Sequence, residues 1–247
     1  MARNILITGG AGGIGIATAS RFVHGGDNVI VTDISDSETL TDLRSAAAEQ
    51  VSFYPLDVSK ESACAEVVDQ ILQRYVQIDV LVNIAGVGEK DDRPFLEKDF
   101  NKMRRTLDVN LMGTIIMSMT VAKAMVEKRD GVIINVSSIA AHLATTNSLG
   151  YSASKAGVDI VTKIMSEELS GLGIRCLAIA PATVRTRMMD PAIEDRAKLL
   201  HMKRRVIEPE ESASSIYLLS LKEASAVGGT TVMTDDGYCA FINTVRK

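Results

Sequence analysis

A chain of 247 residues, 46% hydrophobic and 23% charged, carries enough apolar material for a large buried core, which argues against intrinsic disorder. A formal charge of -4 without a basic stripe argues against nucleic-acid binding: the densest basic cluster, Lys203, Arg204 and Arg205, is short and followed by Glu208, Glu210 and Glu211. Three scattered cysteines and three scattered histidines predict a reducing, cytoplasmic setting and no metal site.

The chain opens on a strand pattern, "NILIT" at 4–8, leaving no room for a cleaved signal, and no run of eighteen apolar residues predicts a membrane span. Five glycines, Gly9, Gly10, Gly12, Gly13 and Gly15, then lead into "IATASRFVHGG", whose apolar spacing is helical. Such a turn lets backbone approach a pyrophosphate, and the helix N-terminus adds unpaired N–H groups. Two parses stay open: G-x-G-x-x-G from Gly10, Gly12 and Gly15, or G-x-x-x-G-x-G from Gly9, Gly13 and Gly15.

The second strand, "NVIVTD", ends at Asp33, where an acid can accept hydrogen bonds from adenosine ribose hydroxyls and repel a 2'-phosphate. The following "ISDSETL" holds no Lys or Arg, and Gly12 rather than a base precedes Gly13, so NAD(H) is favoured over NADP(H).

Further strands are predicted at "VSFYPLD", "IDVLVN", "GVIINVS", "IRCLAIAP" and "TTVMTDD". Helices are predicted at "ESACAEVVDQILQRYV", through "DFNKMRRTLDVNLMGTIIMSMTVAKAMVEK" and from about Tyr151. The alternation predicts one α/β domain over 1–247, a doubly wound, seven-stranded parallel sheet flanked by helices. The charged stretch 186–209, with two prolines and a short helical centre, reads as a substrate lid.

"SSIAAHLATTNSLGYSASK" carries the chemistry. On a helix, Tyr151 and Lys155 lie one turn apart on one face, so the ammonium can favour the phenolate and make Tyr151 a usable acid or base. Ser138, at the carboxyl end of its strand, can hold the substrate oxygen.

These features, with "TGGAGGIG", "LDVS", "NIAG", "DVNLMG", "NVSS", "APATVRT" and "TTVMTDDGY", resemble the short-chain dehydrogenase/reductase family over nearly the whole chain. The resemblance implies a Rossmann-type domain and selects the parse on Gly9, Gly13 and Gly15, with Ile14 between them. It implies that Asp57 and the Val58 backbone meet the adenine and that Asn83 lines the cofactor groove. Val184 and Thr186 would hold the nicotinamide carboxamide, while Tyr151 and Lys155 would meet its ribose. Asn110 would join Ser138, Tyr151 and Lys155 as the fourth catalytic member, supporting a water-mediated relay to Lys155.

Three departures stand out. Ile84 replaces the second asparagine of N-N-A-G, Ala182 the glycine of P-G, and Asp236 the first glycine of D-G-G. Ile84 is expected to lose a hydrogen bond bracing the sheet, and Ala182 puts a positive φ there in doubt.

Val87, Gly88, Ile139, His142, Asn147, Arg185, Met188 and Met189 suggest a small substrate pocket of mixed polarity, with His142 a solvated loop residue. The expected activity is hydride transfer between NAD(H) and a secondary alcohol or ketone. The alternatives are an NADPH-dependent 3-oxoacyl-thioester reductase and a non-catalytic NAD(H)-binding regulator. The resemblance also implies a homotetramer, or a homodimer, built on the Tyr151 helix, an expectation that a single-chain mass in sedimentation would remove.

Overall fold

The structure, a computed structural model, describes residues 2–144, 148–186, 189 and 191–240. Its strands are β1 (Asn4–Thr8), β2 (Asn28–Asp33), β3 (Val51–Pro55), β4 (Val80–Asn83), β5 (Gly131–Val136), β6 (Ile174–Pro181) and β7 (Thr231–Thr234). They form one seven-stranded parallel sheet in the order β3-β2-β1-β4-β5-β6-β7.

The helices are α1 (Gly13–His24), α2 (Glu38–Ala46), α3 (Glu61–Tyr75), α4 (Phe100–Leu107), α5 (Gly113–Lys128), α6 (Leu149–Leu169), α7 (Pro191–Leu200) and α8 (Pro209–Ser220). The continuous apolarity of the strands has the cause expected from their pattern, since both sheet faces are covered. Ile5, Ile7, Val29 and Val31 pack with Phe22 of α1, Leu40 of α2 and Ile216 of α8. On the other face, Leu6, Ile30, Leu81 and Ile133 pack with Ile71 of α3 and Met117, Val121 and Met125 of α5. Each fully buried aliphatic side chain contributes about 1.5–3 kcal/mol relative to exposure.

Strand order reverses at β1, which pairs with β2 on one side and β4 on the other, with Thr8 opposite Asn83. This switch point opens a crevice at the carboxyl ends of the strands, where ligands bind in such sheets.

The expected single helix over 99–128 is interrupted by a π-helical turn at Asp108–Met112. Thr114 donates its hydroxyl to the Asn110 carbonyl at 2.9 Å, within this disturbed ladder. Gly113 begins α5 against Val58, whose Cγ2 lies 2.6 Å from where a Cβ would stand, so the helix passes close to the start of α3. By length and composition Phe100–Lys128 could cross a bilayer, yet Met117, Val121 and Met125 bury it against the sheet as a core helix.

Two helices were not anticipated. α2 fully buries only Leu40, with Leu43 partly buried beside it, so its apolar stripe is short. α8 carries a proline in its first turn and a reciprocal Glu208–Glu211 capping box, both visible as "EPEE".

Candidate active site

The glycine turn closes against the segment leaving β4. The Thr8 hydroxyl accepts from the Ile84 and Ala85 amides, both at 3.2 Å, and Gly9 has a φ of +68°. A Cβ on Gly9 would lie 2.6 Å from the Ala85 backbone, and one on Gly15 would lie 2.2 Å from the Gly9 carbonyl. Gly12 caps α1 without a side-chain hydrogen bond, and no acid occupies the first turn, so the helix N-terminus presents backbone N–H groups and partial positive charge. Thr186 packs on the turn: its Cγ2 lies 2.9 Å from a Cβ built on Gly13, so these two expected cofactor residues are in direct contact.

At the rim, Asp33 accepts from the Ala11 amide at 3.0 Å and the Ile34 amide at 2.8 Å, which fixes its carboxylate beside the turn. Asp57 accepts from the Ser59 hydroxyl at 2.7 Å and the Ser59 amide at 3.0 Å, and these bonds hold its pKa below the ordinary carboxylate value. Val58 is buried.

Asn83 departs from expectation: its side chain turns into the protein rather than lining the groove. Its amide donates to Ser118 and to Asn135, both at 2.9 Å, and Asn135 donates to Thr162 at 2.9 Å. The chain of bonds ends where Thr162 donates to the Val158 carbonyl at 2.7 Å, leaving Asn83 Oδ1 buried without a partner.

Val184 pairs with Ile207, and the Arg185 amide donates to the Ile207 carbonyl at 2.9 Å, so the expected lid is pinched at its neck. Arg185 bridges Glu194 of α7 and Glu208. Arg185 is therefore an ion-pair bridge at the neck, while Asn147 and Met188 lie outside the described residues.

The departures from the family pattern acquire causes. Ile84 is braced by backbone, donating to the Thr8 carbonyl at 3.2 Å, and Ala182 does not adopt a positive φ. Asp236 does, at +50°, a conformation aspartate tolerates better than most residues. Its carboxylate accepts from the Lys203 amide at 2.8 Å and its carbonyl from the Met202 amide at 3.0 Å, tying the end of β7 to the far end of the lid.

Ser138, Tyr151 and Lys155 converge at the end of β5 and the start of α6. Ser138 Oγ accepts from the Ala140 amide at 3.1 Å and is hydrogen-bonded to the Tyr151 phenol. Lys155 Nζ stands 5.8 Å from the Tyr151 ring centroid and donates to the Val136 carbonyl at 2.7 Å.

Burial raises the Tyr151 pKa, with the Ser138 hydrogen bond opposing it, so the expected lowering by Lys155 is not what dominates. The reason is desolvation of the phenolate, with the ammonium engaged at Val136. Burial also pushes Lys155 down to about 8, against the opposing charge of Asp159.

Asp159 was missed, although Tyr151, Lys155 and Asp159 recur at four-residue spacing and so share a helix face. It accepts from Thr231 at 2.9 Å and meets His142 Nε2 at 3.1 Å, so the half-exposed His142 is tied to α6 instead of standing free in its loop. Asn110, fully buried in the π-turn, accepts from the Val87 amide at 2.8 Å and donates to the Val87 carbonyl at 3.0 Å and to Ser154 at 3.2 Å. Its side chain thus holds the segment after β4.

The short chain dehydrogenase family model matches residues 3–197. The chain is 35% identical over 238 residues to a 3-oxoacyl-(acyl-carrier-protein) reductase of Thermotoga maritima, covering 94% of this chain and 96% of the relative. It is 31% identical over 239 residues to D-threitol dehydrogenase of Mycolicibacterium smegmatis, covering 94% and 91%. Among solved structures, ElxO with NADP bound superposes with a TM-score of 0.91 at 28% identity, covering 98% of this chain and all of the other. Fold, switch-point crevice and these matches agree, and the chain belongs to the short-chain dehydrogenase family of oxidoreductases.

Proposed function

We propose that the chain transfers a hydride between NAD(H) and a secondary alcohol or ketone. The observation that carries this is the Ser138–Tyr151 hydroxyl pair, with Lys155 one helical turn away, at the end of a crevice that starts at the glycine turn. In alcohol oxidation, Ser138 orients the substrate oxygen and Tyr151, as phenolate, takes the hydroxyl proton while the carbon loses hydride; in ketone reduction the same phenol returns the proton. Lys155 keeps its charge beside the Tyr151 ring while bonded to the Val136 carbonyl, and Asn110 contributes by fixing Val87 beside the site.

What supports a dinucleotide here is the glycine-rich turn at the start of α1, where a helix N-terminus without a side-chain cap or first-turn acid presents backbone N–H groups. Backbone at Gly9, Gly13, Ile14 and Gly15 would take the pyrophosphate, Asp33 the adenosine ribose, and Asp57 and Val58 the adenine. Val184 and Thr186 would hold the carboxamide, Tyr151 and Lys155 the second ribose, and Asn83 would contribute only through its backbone. When bound, NAD(H) supplies the hydride acceptor or donor.

Preference for NAD(H) rests on charge. Asp33, at the end of β2, is fixed beside the glycine turn by the Ala11 and Ile34 amides. NADH is expected to bind at least about tenfold more tightly than NADPH in fluorescence titrations, since Asp33 repels a 2'-phosphate. A second reading, an NADPH-dependent 3-oxoacyl-thioester reductase, draws on the Thermotoga relative and the NADP-bound neighbour. Tighter NADPH binding, with turnover confined to acyl thioesters in a panel of alcohols, sugars, steroids and acyl thioesters, would establish it instead.

Lys155 keeps its charge below about 8 and loses it as pH rises through that value. Turnover is therefore expected to decline on the alkaline side, and Asp159→Asn, which removes the charge supporting the ammonium, should move that decline to lower pH. An unmoved limb in the pH profile would remove Asp159 from this role.

The proposed assembly is a homotetramer or homodimer. Phe100, Met112 and Met119 around α4 and α5, with Ile160 and Ile164 on α6, leave apolar surface that a second copy would cover.

A further inference from the structure

The segment leaving β4 crosses the start of α6 with alternating exposure: residues 87, 89 and 91 are turned inward, while 88, 90 and 92 are exposed. Each inward residue is anchored differently. Val87 is clamped by the Asn110 amide through both its backbone groups. Asp91 is 3% exposed and accepts from Arg93 Nε and Nη2, both at 2.8 Å, and from the Asp99 amide at 2.9 Å. Between these two fixed points, Glu89 Oε2 accepts the backbone amide of Tyr151 at 2.9 Å.

That bond falls where α6 needs it. Ser148, at the cap position, makes no side-chain capping hydrogen bond, and the first turn of α6 holds no acid of its own. First-turn amides lack intrahelical partners, and a carboxylate there also meets the positive end of the helix dipole. The approach depends on Gly150: a Cβ there would lie 2.5 Å from Glu89 Oε2 and 2.8 Å from Met103 Cγ.

We propose that Glu89 is a positioning residue, a carboxylate delivered by the 87–91 strap that fixes the first turn of α6 and so the approach of the Tyr151 phenol to Ser138. This rests on the reading of Tyr151 as the proton-transfer group. Neither the glycine turn nor the Tyr-x-x-x-Lys pattern identifies Glu89, because the bond joins residues 62 apart.

Three variants of the full chain test it: Glu89→Ala, Glu89→Asp, which is one methylene too short, and Glu89→Gln, whose amide oxygen can still accept from the Tyr151 N–H. Hydrogen exchange over the first turn of α6 reads the cap without substrate, and is expected to quicken about tenfold or more in the Ala and Asp variants. With the best alcohol or ketone from the panel, kcat in those variants should fall about 10- to 100-fold, the scale of an ångström-size misplacement, with the Kd for NADH within about twofold of wild type.

Glu89→Gln should bring both readouts to within about threefold of wild type, because the hydrogen bond survives. Unchanged kcat in Glu89→Ala overturns the positioning role, as does a Gln variant as impaired as the Ala variant. A Tyr151→Phe enzyme that kept turnover would remove the functional reading, and this proposal with it, even where exchange behaved as expected; the kinetics of Glu89→Ala remove this proposal alone.

Discussion

Tyr151→Phe is expected to lower kcat by about 10³-fold while leaving the Kd for NADH within about twofold. The substitution deletes one oxygen. The ring remains near Lys155, and the Lys155 bond to the Val136 carbonyl does not involve the phenol, so the local fold is retained. Ser138 loses its hydroxyl partner but keeps its bond from the Ala140 amide and hence its orientation. Steady-state kinetics beside a fluorescence titration separate the two effects, and retained turnover would end the assignment of Tyr151 as the proton-transfer group.

Gly15→Ala attacks the opposite end of the crevice. The added Cβ would stand 2.2 Å from the Gly9 carbonyl and 2.6 Å from Gly10 Cα, both backbone atoms that cannot swing aside. The turn must open or α1 must move from it. Forced overpacking costs about 1–3 kcal/mol, a lowering of the thermal midpoint of about 5 °C in a chain of this size. NADH affinity is expected to fall about 100-fold or more, because the pyrophosphate cradle depends on that closure. Gly12→Ala is the stability control, since its Cβ meets only the Gly9 oxygen at 3.5 Å, an ordinary contact. Equal melting and NADH binding in Gly15→Ala and wild type would contradict the packing.

Much of the fold was legible because burial on both faces writes strands as unbroken apolar runs. Ile5, Leu6 and Ile7 serve two cores in succession, which is why "NILIT" shows no polar alternation. α2 was illegible for the converse reason, with Leu40 its only fully buried residue.

At the site, residue types and chain order pointed to Ser138, Tyr151 and Lys155, but partners distant in sequence were hidden. Asn83 turns toward Ser118 and Asn135, and Asn110 toward Val87 and Ser154, because each choice depends on which element lies behind the side chain. His142 paired with Asp159 is a further case: its loop position says nothing of the helix it meets. The pKa of Tyr151 could not be read from a four-residue spacing either, since its direction is decided by how much water the assembled site excludes.

The buried chain from Ser118 through Asn83 and Asn135 to Thr162 also constrains descent. Removing one member strands the polar groups of its neighbours at about 1–3 kcal/mol, whereas replacing bonded partners together by apolar residues of similar shape can be nearly neutral. With Asn83 Oδ1 already unpaired, this lineage has little slack for a single exchange there. Change at these four positions is therefore expected to arrive in pairs, so that two helices and two strands far apart in the chain share one evolutionary history.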